Sequence, residues 1–175
     1  MMRSLSVDVV EHLPYYACSF IMALLLSPGP RFVFCVVEPV LLFSGFTFMA
    51  FSTPTYVTSL SPTPHSSEPL PTEHTLAFQL CNVYLILAFI NIFVLNTTGE
   101  IKVVRAYLSA LWWGDMGHLG STAWCLGRAG MSTASSWSFV IWANFLIPSF
   151  LFLARTLYFL GVFGPDAIVT GEKDK

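Results

Sequence analysis

Charge is what this chain of 175 residues has least of: Asp, Glu, Lys and Arg make up 10% of it, against roughly 25% in a soluble domain. That shortage excludes a globular surface facing water, and a net charge of −2 gives no ground for a nucleic-acid partner. Neither a Gly-rich phosphate loop nor a Ser-His-Asp order is visible. Cysteines are few and unpatterned. Cys18, Cys35, Cys81 and Cys125 lie in apolar sequence with no C-x-x-C spacing, so they are expected as small buried hydrophobes, not as a disulfide framework or metal ligands. One Asp, one His and a distant Glu do not supply the three or four convergent ligands that zinc or iron needs, so neither a metal nor another cofactor is expected.

What is present is apolar. Hydrophobic residues make up 55% of the chain and aromatics 15%, with a mean hydropathy of +0.68. These values read as an integral membrane protein of one domain. A spanning helix needs about 20 apolar residues, and four segments qualify: Phe32 to Phe51, Leu76 to Leu95, Val103 to Gly127, and Trp137 to Phe163. They are apolar all round and too long for barrel strands, so the expected fold is all-α, a polytopic four-helix transmembrane bundle over residues 32–163. Residues 1–31 form an N-terminal segment and 164–175 a polar tail. The apolar run Leu13 to Leu26 is short for a span, and Asp8 and Glu11 do not suit a signal peptide; it reads as an interfacial or re-entrant piece.

Basic residues set the orientation. With four spans, Arg3, Arg31, Lys102, Arg105, Arg155, Lys173 and Lys175 belong to one side or its edge, and only Arg128 lies opposite, which places both termini in the cytoplasm. The stretch from Ser52 to Thr75 has no Lys or Arg and is rich in Ser, Thr and Pro, as suits an irregular non-cytoplasmic loop. Asn96-Thr97-Thr98 fits the glycosylation pattern, but this topology leaves it cytoplasmic and unused. The endoplasmic reticulum is the expected membrane.

Ionisable and amide residues inside the spans are the candidate functional positions, because such groups are costly in a bilayer. Sorting them by depth at about 1.5 Å per residue gives two layers. Glu38 and Asn91 fall in the cytoplasmic third with Arg155 near them, and a Glu38–Arg155 ion pair is expected there, as helix glue or as a working group, unless Arg155 snorkels to the headgroups. Pro39 frees a carbonyl and is expected to disturb its helix; Pro148 does the same in the fourth.

Asn82, Asp115, His118 and Asn144 fall in the middle or the outer leaflet. Asp115 and His118 stand three apart on one helix face, where a carboxylate can orient an imidazole for acid–base work or simply hold helices together. Gly114, Gly117 and Gly120 beside them would let another helix approach closely or let the backbone open around a cavity. Trp112 offers an aromatic face to an apolar ring or a cation, while Trp124 and Trp137 read as interface anchors.

The stretches "VVEPVLLFSGFTFMAFSTPTYVTSLSP", "LAFQLCNVYLILAFINIFVL" and "IKVVRAYLSALWWGDMGHLGS" resemble a family of small fungal membrane proteins known as a domain of unknown function. The resemblance runs from about Tyr15 to Phe163, and its marks are Glu-Pro, Asn-x-Tyr and Asp-x-Gly-His-Leu. It implies four helices and a fungal source, and it implies no activity; Glu38, Asn82, Asp115 and His118 are the matching positions. One departure is the segment "ACSFIMALLLSPGP", residues 17–30, which interrupts the family pattern and is expected to come from a retained intron or a mispredicted gene model, or else to be a real insertion.

Two functions fit these residues. In the first, a flat apolar molecule such as a sterol, terpenoid or polyketide enters from the bilayer. Asp115, His118 and Glu38 are then the catalytic groups of an isomerisation or cyclisation, with Trp112, Asn82 and Asn144 as substrate contacts. In the second, the protein is a non-catalytic accessory or lipid-binding component whose polar pairs are structural. Either way the expected partner is membrane lipid or an apolar small molecule.

Overall fold

The computed structural model describes residues 25–61 and 68–166, and among them every regular element is helical. Helix α1 spans Pro28–Phe51. Pro28 and Pro30 occupy its first turn, where a missing N–H costs nothing because that donor has no partner in a helix. The turn Val33–Val37 is widened to π geometry, with the Glu38 N–H donating to the Val33 carbonyl five residues back. Pro39 follows at once and can donate no bond of its own, so the disturbance expected there takes the form of a wide turn that sets the direction of Glu38.

The Ser52 to Thr75 loop is less irregular than expected. Thr53–Ser59 form a short helix, α2. Pro54 starts it, Thr53 Oγ1 donates to the Met49 carbonyl at 2.6 Å, and Thr53 and Tyr56 are buried. A Ser, Thr and Pro composition reads as loop, yet the first helical turn is where Pro fits best. Helix α3 follows as Pro71–Thr97, its start secured by Glu73 Oε2, which accepts the Leu70 N–H at 2.7 Å.

Helix α4, Ile101–Ser132, is broken at Gly127, whose φ of 62° and ψ of −178° lie outside helical space and favour a residue without Cβ. A short 3₁₀ turn, Ala134–Ser136, leads to α5, Phe139–Phe159. Ser138 caps α5 by accepting the Ile141 N–H at 3.1 Å, and its hydroxyl donates to the Ser59 carbonyl at 2.5 Å, tying α5 to α2.

Two helix pairs form the body: α1 packs along α3, and α4 along α5. In the first pair Gly45 lets the Tyr84 ring come close, since a Cβ there would stand 2.8 Å from it. The pairs share one apolar cluster built on Phe34, Leu95, Leu108 and Tyr158, and a second forms around Met49, Tyr56, Cys81 and Val140. Outside these clusters the helices present apolar side chains outward, among them Phe51, Phe139 and Trp124. Such a surface suits hydrocarbon, not water.

Three helices, α1, α3 and α5, are long and apolar enough to cross a membrane. The four-span expectation is thus met for three. Helix α4 has the length but carries Lys102, Arg105, Asp115, His118, Arg128 and five glycines, which lower its apolarity. Of the proposed insertion, residues 17–24 lie outside the described residues. Leu25 and Leu26 pack into the core with Phe34, and Pro28 opens α1. The apolar run Leu13 to Leu26 likewise lies almost wholly outside the described residues.

Candidate functional site

Arg155 is the centre of the buried polar groups. It sits one turn from the end of α5 with no exposed surface, so it does not snorkel to the headgroups. Its Nη2 donates to Glu38 Oε1 at 2.5 Å, and its Nη1 donates to Asp115 Oδ2. The Phe34 ring packs 5.5 Å from the guanidinium carbon. Asn91 of α3, wholly buried, and Tyr107 of α4 complete the surroundings of Glu38. Three helices therefore meet at one guanidinium, and α3 joins them through Asn91 beside Glu38.

This joins what depth had separated. Backbone height puts Asp115 in a layer apart from Glu38, but one Arg side chain bridges both carboxylates. Depth sorting by backbone height ignores the long Arg stem, which carries its charge well away from its own Cα. The bridge also engages the Asp115 carboxylate elsewhere than on His118: no hydrogen bond joins the two, although they are three residues apart.

His118 instead faces a cavity of about 900 Å³ between α2, the start of α3, the distal half of α4 and the start of α5. Asn144 stands beside it, and Tyr56 beside Asn144. Ser121 and Thr122, one turn further along α4, line the same wall and donate to the His118 carbonyl at 3.1 and 2.8 Å. The His118 Nε2 is buried there without a hydrogen-bond partner. Leu80, Leu126 and Ile141 supply apolar surface. Cys125, expected to be buried, is exposed on this wall, while Cys81 is buried and Cys35 half-buried.

The other candidates are dispersed. Trp112 does not line the cavity; its Nε1 donates to Thr156 Oγ1 at 2.9 Å and its ring stacks on Phe152 at 5.1 Å, holding α4 to α5. Asn82 is exposed on α3. Among the described residues, glycines 114, 117 and 120 meet no neighbouring helix, since a Cβ on any of them would find no atom within 4 Å, so no described helix makes the close approach expected there. Trp124 is exposed, and Trp137 stacks on Phe145 and donates to the Gly130 carbonyl. No group of three metal-ligating side chains occurs among the described residues.

One polar contact was not anticipated. Asp166, past the end of α5 and almost fully buried, accepts from Arg105 Nη2 at 2.9 Å and from the Tyr158 hydroxyl at 3.0 Å. It straps the chain beyond α5 to the start of α4. Its place in the polar tail concealed it, because nothing in a tail composition distinguishes a docked carboxylate from a solvated one.

The arrangement of Glu38 before Pro39, Asp115 and His118 on one helix, and Arg155 between the two acids extends over residues 25–166. Residues 23–165 match the family described as a domain of unknown function, DUF7704. The chain belongs to that family. No curated protein and no solved structure matches it. The family match begins at residue 23 and so takes in Leu25 and Leu26 of the core.

Proposed function

We propose that this DUF7704 protein is a multi-pass membrane protein that holds an apolar or amphipathic small molecule in the cavity between α2, α3, α4 and α5, with the charged cluster serving to hold the helices together. The observation that carries this reading is the division of labour on α4. Asp115 is engaged by Arg155, while His118 and Asn144 face a cavity of about 900 Å³, a volume within the range of roughly 300–1,000 Å³ typical of small-molecule sites. Helix α4 crosses the bilayer as a fourth span in this reading, its charges at Asp115 neutralised by Arg155 and those at Lys102 and Arg105 lying at its cytoplasmic end. Both termini are then cytoplasmic, in the endoplasmic reticulum membrane, and Asn96 is unglycosylated.

Native mass spectrometry of the protein released from its own membrane tests the binding reading. Wild type is expected to carry a lipophilic adduct that Leu80→Trp, which fills the cavity from α3, removes without unfolding the bundle. If wild type and Leu80→Trp carry the same adducts, the cavity is not the site. A glycosidase-sensitive shift in gel mobility that depends on Asn96 would invert the topology.

A second reading has its own observation. The unpartnered His118 Nε2 is a general acid or base within reach of whatever occupies the cavity, so an isomerisation or cyclisation of the bound molecule would run on His118 without Asp115. Turnover that survives Asp115→Asn in folded protein but not His118→Gln would distinguish this from storage or transport.

A further inference from the structure

The residues lining the cavity limit the chemistry of what it takes. Among the described residues its wall contains two carboxylates, Glu68 and Glu73, both near the start of α3, and no Lys or Arg. Glu73 is already engaged in capping α3 through Leu70, and Glu68 is exposed at the rim. Sites built for carboxylate or phosphate place Arg or Lys against the anion, usually with paired hydrogen bonds. Here Arg155 is wholly buried and committed to Glu38 and Asp115, and Arg128, two residues past the lining Leu126 on α4, is exposed and does not line the cavity. An anionic head entering this cavity would meet acid at the mouth and no counter-charge inside, at a large desolvation cost.

The other polar groups on the wall are neutral and of both kinds. Asn144 offers an acceptor and the amide N–H not donated to the Val140 carbonyl, Ser121 and Thr122, whose hydroxyls donate to the His118 carbonyl, offer their oxygens as acceptors, and His118 presents its buried, unpartnered Nε2. Such a set is best satisfied by a group that donates and accepts at once, and a hydroxyl is the smallest that does. Leu76, Leu80, Leu126 and Ile141 leave the rest of the occupant against hydrocarbon.

We infer that the cavity selects an uncharged, hydroxyl-headed lipid and rejects its carboxylate counterpart, with His118 and Asn144 receiving the hydroxyl. This rests on the binding reading above and goes further by fixing the head group. Long-chain alcohols, acylglycerols and sterols share that chemistry.

One fluorescent polyene chain carried with different heads provides the test. Full-length protein in a neutral detergent is titrated with cis-parinaric acid and with the corresponding alcohol at a pH of about 8, where an ordinary carboxylic acid is ionised. The alcohol is expected to bind at least about tenfold more tightly than the acid, the worth of one well-made hydrogen bond against an unpaired charge. His118→Ala is expected to remove most of that preference while leaving the chain bound, and Leu80→Trp, or Leu126→Trp from the opposite wall, is expected to abolish binding of both. Displacement of the alcohol probe by a sterol or by a monoacylglycerol supports the inference and tells which source supplies the hydroxyl. Equal or tighter binding of the acid, still sensitive to Leu80→Trp, overturns the head-group inference while the binding reading stands. Absence of any binding sensitive to Leu80→Trp or Leu126→Trp overturns both.

Discussion

Asp115 and His118 occupy adjacent turns of the same helix and have opposite surroundings. Around Asp115 the bundle is closed: α1 brings Glu38, α3 brings Asn91, α5 brings Arg155, and the guanidinium has no exposed surface. Around His118 the bundle is open, because α3 touches α4 only lightly and the short helix α2 leaves a cavity where a longer element would fill the space. A closed region of charges in an apolar medium constrains helix positions, since any displacement separates charges that have no alternative partner. An open region with neutral polar groups can exchange occupants. Polar residues within one span therefore need not share a role, and the neighbouring helix decides which role each takes.

The sharpest way to break this comparison is at Arg155. Arg155→Ala leaves Glu38 and Asp115 facing each other in a buried site, and removing one partner of a buried ion pair costs about 3–5 kcal/mol. The variant is expected to lose its monodisperse peak in detergent size-exclusion chromatography. His118→Ala, at the same helix interface, is expected to keep that peak and to change stability by less than about 0.5 kcal/mol. If both variants fail alike, the two regions are one structural unit and the division drawn here is wrong.

A smaller effect is expected in the α1–α3 pair, where Tyr84 packs on the cluster behind the cavity wall. Gly45→Ala places a Cβ 2.8 Å from the Tyr84 ring, which is closer than real carbon contacts allow, so the helices must separate or the ring must turn. Overpacking of this kind costs about 1–3 kcal/mol. Thermal unfolding in detergent should show the loss, and Tyr84→Leu in the same chain should restore part of it. A Gly45→Ala variant as stable as wild type would mean that α1 and α3 do not pack this closely.

The strap at Asp166 comes next. Asp166→Ala removes the acceptor of the Tyr158 hydroxyl and the partner of Arg105. Because the Arg105 side chain is more than half exposed, that ion pair contributes little, and the loss is dominated by the Tyr158 hydrogen bond at about 1 kcal/mol. Faster proteolysis after residue 159, with the remaining helices unaffected, is the expected readout; unchanged cleavage would show that Asp166 does not hold the segment.

Much of this was legible in the sequence. Runs of apolar residues located α1, α3 and α5 to within a few positions, and depth alone brought Glu38, Asn91 and Arg155 together. Three things were not legible, for physical reasons. Arg155 has two donating nitrogens at the end of a long stem, so its second partner, Asp115, lay beyond what backbone height can assign. Helix α2 has a composition shared by loops and by first helical turns. The direction in which a side chain points around its helix is hidden when the helix is apolar on every face, because no polar stripe marks the outside.

Asn82 carries that last point furthest. It lies nine residues from Asn91 on α3, and at about 100° per residue the two point in opposite directions. Asn91 is wholly buried beside Glu38, so Asn82 must face outward, and it is exposed. Depth had made it a companion of Asp115 and His118; its position around the helix makes it a polar group directed at lipid. Asn82→Leu is therefore expected to leave adduct retention and the head-group preference unchanged and to alter stability by less than about 0.5 kcal/mol, with any change in the stabilising direction because a lipid-facing amide is lost. Loss of the adduct in Asn82→Leu would mean that a partner helix or a second copy covers this face and brings Asn82 into a site that one chain alone does not form.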